Sequence, residues 1–282
     1  MTRRQRSTLS TILRYLVLGI VGLVMIYPMI WMVGASFKTS NAEIFSSIGF
    51  IPKNPTLDGY ISGWNAEPYK FGVYMFNTYK FVIPKVIGTV ISSTVTAYGF
   101  SRFKFKGQGF LFGLCMATLF LPQVVLNVPQ YLLFSQMNWL NSYLPIVVPS
   151  FFAVDTYFVF MLVQFMRSIS RELEEAAEID GCNSLQRLVY VIVPMVKPSM
   201  VSCALFQFMW SSNDFMGPLI YIDSVKKYTA SLGLRMFMDA EAGFQWNKVL
   251  ALSIITILPS LIVFFLAQDQ FVEGISAGGV KG

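Results

Sequence analysis

Five acidic residues, Glu172, Glu174, Glu175, Glu178 and Asp180, fall within nine positions of a chain that has only 15 acids in all. Such a cluster is ordinarily a solvated face, but its flanking residues give it a more specific shape. Ser170 stands where it can cap a short helix, and Glu172, Glu174 and Glu175 then occupy the first turn, against the positive end of the helix dipole. Gly181 supplies the left-handed residue that ends such a helix. Asn183 can cap a second helix through Leu185, Leu188, Val189 and Ile192, which is expected to stop at Pro194 and lead on through Pro198. The chemistry this spacing suits is docking: a two-helix hairpin whose Ala176 and Ala177 are small enough to admit a partner closely.

Catalytic chemistry has little to work with. The chain contains no histidine, which removes the commonest general base and metal ligand. Cys115, Cys182 and Cys203 are scattered and lack CxxC spacing, so neither a disulfide framework nor a zinc site is expected. No G-x-x-x-x-G-K-[ST] phosphate loop occurs, so the chain is expected neither to bind nor to hydrolyse ATP. No nucleophile with a partnered base stands out, and no cofactor or metal site is expected.

The elements that must position the hairpin are membrane helices. At 55% hydrophobic and 13% charged, with a mean hydropathy of +0.57, the chain is too apolar for a soluble domain of 282 residues. A membrane helix needs ~20 apolar residues to cross ~30 Å of hydrocarbon. Six stretches meet that need, near Tyr15–Ser36, Asn77–Tyr98, Phe110–Phe134, Tyr143–Met166, Ser199–Ile222 and Val249–Ala267. The first is too long for a cleaved signal peptide and is expected to remain.

If the N-terminus is cytoplasmic, the cytoplasmic segments hold Arg3, Arg4, Arg6, Arg14, Arg102, Lys104, Lys106, Arg167, Arg171, Arg187, Lys197 and Lys281, most of the 21 basic residues. That bias puts both termini and the hairpin inside. The net charge of +6 is thus spread between apolar runs, which does not fit a nucleic-acid footprint. Trp31, Trp64, Trp139, Trp210 and Trp246 mostly fall near span ends or in outer loops. Pro28, Pro84, Pro122, Pro129, Pro149 and Pro259 interrupt spans, as tolerated kinks or as shapers of a cavity.

Polar groups at membrane depth mark function or paired structure. Lys85 lies roughly 20 Å from the inner end of its span, counted at ~1.5 Å per residue. It is expected to pair with Asp155 or Asp214, to snorkel beside Lys80, or to face a ligand path. Gln123, Asn127 and Gln130 recur on one side of the third helix, lining a path or bonding to neighbouring helices.

At the hairpin a resemblance becomes specific. Glu175-Ala176-Ala177, three residues, Gly181, nine residues, then Val191-Ile192-Val193-Pro194 is similar to the EAA motif of ABC-importer permeases, with valine at two apolar positions where Ile and Leu are more usual. The carbohydrate branch, that of the maltose-type importers, is resembled more widely. Asn77-Thr78, Ala97-Tyr98 through Arg102-Phe103-Lys104-Phe105-Lys106-Gly107, Asn213-Asp214…Pro218-Leu219-Ile220 and the tail Phe271–Gly282 all resemble its signatures, while Asp269-Gln270 departs from an Arg-aromatic pair.

The resemblance implies an all-α integral membrane protein with six transmembrane helices and the type I importer permease fold. Residues 1–14 would be a cytoplasmic N-terminus, 15–268 the transmembrane domain with a coupling loop at 167–197, and 269–282 a cytoplasmic tail able to reach the ATPases. Glu175, Ala176, Ala177, Gly181 and Pro194 would couple to the ATPase. Implied partners are a second, homologous permease, two ATP-binding subunits that carry ATP and magnesium, and an extracytoplasmic solute-binding protein docking on Phe37–Phe76 and Asp223–Trp246. Membrane lipid surrounds the helices, and no nucleic acid is expected. The implied cargo is a sugar or oligosaccharide, and Lys85 would suit an acidic one. Lys85, Gln123, Asn127, Gln130, Asp155, Asn213 and Asp214 are the candidate path residues, with Asp214 at a family position that favours a structural role. A non-sugar cargo such as a glycerol phosphate is the nearest alternative. An ion-coupled transporter is expected to show an internal repeat, which is not seen.

Overall fold

The computed structural model describes residues 3–46, 49–238 and 243–279. Among them there is no β-strand, and the helices in chain order are α1 (Arg3–Ser36), α2 (Asn41–Ser46), α3 (Asp58–Trp64), α4 (Phe71–Arg102), α5 (Gln108–Thr118), α6 (Gln123–Gln136), α7 (Leu144–Val147), α8 (Thr156–Ser168), α9 (Glu172–Ile179), α10 (Ser184–Arg187), α11 (Val193–Ser212), α12 (Met216–Tyr221), α13 (Ala230–Met236) and α14 (Trp246–Gly279). Five helical stretches are long and apolar enough to cross a membrane, and the bent pair α5 and α6 supplies a sixth. The chain is an all-α, multi-pass membrane protein, as its composition requires.

The third span is not the single helix expected over Phe110–Phe134. It turns through 100° between α5 and α6. Pro122 stands at the break in an extended conformation; it has no N–H to give and its ring would clash with the preceding turn. The fifth span also differs from Ser199–Ile222. The helix does not stop at Pro194 but runs from Ser184 to Ser212 through a π-helical turn at Leu188–Ile192. The wide turn has a physical reason. In α-helical register the Pro194 ring would strike the Tyr190 carbonyl, and one π turn relieves that clash while keeping the helix continuous. The span then breaks at Asn213–Phe215, and α12 is a separate short helix. The fourth span is interrupted in its turn by a 3-10 segment, Val148–Phe152, and by Ala153 in the left-handed region at φ 55°.

Contacts divide the chain into two compact units, Met1–Phe71 with Leu234–Ile257, and Gly72–Gly233 with Leu258–Gly282. In the first, the connection after α1 is folded closely upon itself. Lys38 is fully buried and its ammonium donates to the Gly49 carbonyl at 3.0 Å. Asn41 accepts from the Trp246 N–H at 3.2 Å, and Gly59 lies so near Asn247 that a Cβ would come 2.7 Å from its carbonyl oxygen. Glu43 accepts from the Lys53 N–H at 2.9 Å and from the Thr39 N–H at 3.2 Å; these bonds, the Lys53 one foremost, hold its carboxyl below the ordinary range.

The second unit has two cores. One, around Phe81, Val82, Phe134, Ile146, Tyr221 and Ile222, is aromatic. The other gathers Ala97, Tyr98, Val159, Leu162, Val163, Met166, Leu188, Ile192 and Val196 where α4, α8 and the π turn meet. Phe158, Val159, Leu162, Val163 and Met166 of α8 are completely buried, one helical face recurring every three or four residues. That packing seats the hairpin that follows.

Candidate functional site

The acidic stretch folds into the expected hairpin, with its two ends set by local chemistry. Arg171, not Ser170, stands at the N-cap of α9, although the Ser170 hydroxyl accepts from the Glu172 N–H at 3.3 Å. Gly181 ends the helix with φ 89°, a conformation only glycine takes without strain, and the Cys182 N–H reaches back to the Ala177 carbonyl at 2.9 Å. Asn183 then caps α10 in a full capping box: its side chain accepts from the Gln186 N–H at 2.9 Å while Gln186 accepts from the Asn183 N–H at 2.8 Å.

The five acids divide into two classes that their spacing does not distinguish. Glu174 turns inward, buried, onto the Arg102 guanidinium at 2.6 Å, and Arg102 also donates twice to the Ile169 carbonyl at 3.3 Å. Glu178 pairs with Arg187 across the hairpin. Glu172, Glu175 and Asp180 form no ion pair among the described residues and are exposed. The anchoring is completed by the Arg171 guanidinium, which donates to the Ser101 carbonyl at 3.4 Å, and by the Tyr98 hydroxyl, which donates to the Ser184 carbonyl at 3.2 Å.

With Glu174 pinned inward, the outer face of α9 carries Glu172, Glu175, Ala176 and Ile179, and Ile179 is 87% exposed. Beyond Gly181, Leu185 and Tyr190 are also exposed, at 69% and 72%. The hairpin thus presents an exposed apolar projection flanked by carboxylates that form no ion pair among the described residues. Pro194 lies past the π turn on a helix that joins the hairpin without interruption to a membrane span.

The intramembrane polar residues are partly brought together. Thr89 on α4 donates to the Asp155 carboxylate at 2.9 Å, and Ser92, one turn on, donates to the Ser150 carbonyl at 2.7 Å. Gly88 permits this approach, since a Cβ there would lie 2.7 Å from both Phe151 and Ser150 side-chain atoms. Lys85 lies one turn earlier on the same stripe of α4, half-buried, and forms no ion pair with Asp155, Asp214 or any other described residue. Gln123 donates to Gln130 at 3.3 Å along α6, and among the described residues no hydrogen bond joins these amides or Asn127 to another helix. Asp214 accepts from the Gly217 N–H at 3.0 Å and so starts α12, while the Asn213 amide donates back to the Met209 carbonyl at 2.8 Å.

Sequence reasoning missed two positioning groups. The Asn77 amide donates to both the Lys226 and Tyr228 carbonyls at 2.9 Å, and Thr78 accepts from the Ala230 N–H at 2.9 Å, so this pair fixes the segment before α13 rather than opening α4, which begins at Phe71. Asn141 accepts from the Ser224 N–H at 3.1 Å and has a left-handed backbone, φ 51°; the signal in the sequence is the residue type, since asparagine tolerates that conformation. The resemblance at Phe271–Gly279 falls in the last turns of α14, and 280–282 lie outside the described residues.

Comparison with known proteins follows the same lines. Residues 6–269 match the family described as binding-protein-dependent transport system inner membrane component. The probable ABC transporter permease protein YurM of Bacillus subtilis (strain 168) is 34% identical over 256 residues, covering 91% of this chain and 84% of that protein. The galactooligosaccharides transport system permease protein GanQ of the same organism is 28% identical, covering 98% of each. The fold is shared with a chain in the crystal structure of a bacterial ABC transporter involved in the import of the acidic polysaccharide alginate, with a TM-score of 0.81 at 22% identity over 96% of this chain and 99% of that one.

Proposed function

The chain belongs to the family of binding-protein-dependent transport system inner membrane components, and from that premise we propose that it is the membrane-spanning permease subunit of an ATP-driven importer for a sugar or oligosaccharide. The observation that carries the reading is the anchored hairpin α9–α10, with Glu175, Ala176 and Ile179 outward and Glu174 locked to Arg102. Glu175, Ala176, Ala177 and Gly181 form the part that enters a partner ATPase. Burying Ile179 there contributes about 1.5–3 kcal/mol. Because α10, the π turn and α11 are one continuous helix, Pro194 included, displacement of the hairpin moves a span as a lever.

In this reading two ATP-binding subunits hydrolyse the nucleotide, and the lack of a phosphate loop here is consistent with that division. A second, homologous permease completes the membrane pore, and an extracytoplasmic binding protein delivers cargo to the loops between spans. Both termini lie in the cytoplasm, as the basic residues favour. ATP drives the cycle because it binds one conformation better than the other. The saccharide class is supported by relatives such as the galactooligosaccharide permease. Lys85, unpaired beside the Thr89–Asp155 bond, and the α6 amides Gln123, Asn127 and Gln130 line the path, with Lys85 suited to an acidic saccharide; Asp214 and Asn213 shape the break in the fifth span.

The test is purification from native membranes with a cysteine placed by Ala176→Cys. Recovery of a second permease and an ATPase, with a crosslink from residue 176 to the ATPase, is the expected result. Recovery of the chain alone, with no crosslink, would sink the proposal.

A further inference from the structure

A cavity of about 300 Å³ opens where α4 and α8 end, and its walls include Ser101, Arg102, Lys104, Arg167, Ile169 and Arg171. Four of these residues are cations and none is an acid. Glu174 neutralises Arg102 from behind, which leaves Lys104, Arg167 and Arg171 facing a cavity that contains no counter-charge. Their present partners are weak. Arg171 makes one long bond to the Ser101 carbonyl, Arg167 lies 5.3 Å from the Phe112 ring, and Lys104 has no hydrogen-bond partner among the described residues. Like charges lining one cavity repel one another, and an anion there relieves that repulsion.

The setting narrows the kind of anion. Arg102 is the last residue of α4 and Arg167 lies in the last turn of α8, so the cavity sits where two membrane-crossing stretches reach the interface. Phe103 and Phe105 are exposed beside it, at the level where aromatic side chains meet lipid headgroups. Guanidinium groups match phosphate geometry bidentately, and a lysine adds a point charge. Basic pockets between helices at this level suit phosphorylated headgroups.

We propose that this cavity binds the phosphodiester of an anionic glycerophospholipid, held by Lys104 from one side and by Arg167 and Arg171 from the other. The cavity shares Arg102, Ile169 and Arg171 with the anchorage of α9, so an occupied site ties the ends of two spans together directly behind the hairpin. This inference stands apart from the identity of the cargo and of the partner subunits.

The experiment uses the full chain, with whatever subunits accompany it, in nanodiscs of phosphatidylcholine containing a minor fraction of phosphatidylglycerol, and counts retained lipid by native mass spectrometry. The wild type is expected to retain phosphatidylglycerol selectively. Lys104→Gln and Arg167→Gln are each expected to weaken retention by about tenfold, the loss of one charge-assisted contact. Lys197→Gln, which removes an exposed cation away from the cavity, is expected to change nothing. Two cavity variants on different helices keep the test standing if one fails to assemble. A parallel arm adds inorganic phosphate to the same mixed discs. Displacement of the lipid by millimolar phosphate would assign the site to a free anion and overturn the lipid proposal, as would wild-type retention in both cavity variants.

Discussion

The Arg102–Glu174 pair makes the sharpest prediction, because both side chains are nearly withdrawn from solvent, 6% and 10% exposed, and their contact is 2.6 Å. Glu174→Ala leaves the guanidinium in place with only the Ile169 carbonyl to receive its protons. Removing one partner of a buried pair destabilises by about 3–5 kcal/mol. Arg102 also borders an open cavity, which admits some water and sets the effect near ~3 kcal/mol, or about 10²-fold in local opening. The assay is amide hydrogen exchange across Glu172–Ile179. Protection there is expected to fall by about two orders of magnitude in Glu174→Ala while Phe158–Met166 of α8 remains protected. In the double variant Arg102→Leu with Glu174→Leu no charge is stranded, and most of the protection should return. Unchanged exchange in the single variant, or a double variant as open as the single, would refute the anchoring argument.

Other outcomes follow from the same geometry. Gly217→Ala places a Cβ 2.5 Å from an Asp214 carboxylate oxygen, so it should break the Gly217 N–H to Asp214 bond and lower thermal stability by about 1–2 kcal/mol in a melting assay; an unaltered melt would contradict the contact. Lys85→Ala should reduce uptake of an acidic oligosaccharide by about 10–100-fold through loss of a charge-assisted contact while leaving a neutral one unaffected, and equal uptake of both would remove Lys85 from the path. Glu43 is held below its ordinary pKa of 4.5 by the Lys53 and Thr39 N–H groups. Its contribution to the segment after α1 is therefore complete above that value and vanishes as pH falls through the lower one. Proteolysis of residues 37–56 should accelerate on acidification, and Glu43→Gln should abolish that dependence.

Much of this architecture is legible in the residues themselves, for reasons that differ from element to element. Spans are visible because length and apolarity alone decide whether a helix can cross a membrane, and the hairpin is visible because Gly181 and Asn183 set its geometry locally. The 100° turn at Pro122 is different: a proline announces an interruption, but it fixes neither the angle nor the direction of the break. Pro194 misleads in the opposite direction, because a π turn absorbs it and the helix continues. Within the acidic run, spacing cannot tell Glu174 from Glu175. The distinction is made by Arg102, far away in the chain, and by the packing of α8 that brings it there. Lys85 shows the same limit, since a sequence supplies candidate acids but not the distances that leave it unpaired.

The central claim is that ATP hydrolysed elsewhere drives a saccharide through this chain by way of the hairpin. The most direct measurement is uptake of a labelled oligosaccharide into proteoliposomes holding the purified complex with its binding protein, with and without enclosed ATP. Uptake that requires ATP and is lost in Glu174→Ala, while hydrolysis by the ATPase subunits persists, is the predicted result. Uptake by this chain alone, following an ion gradient and indifferent to ATP, would contradict the account.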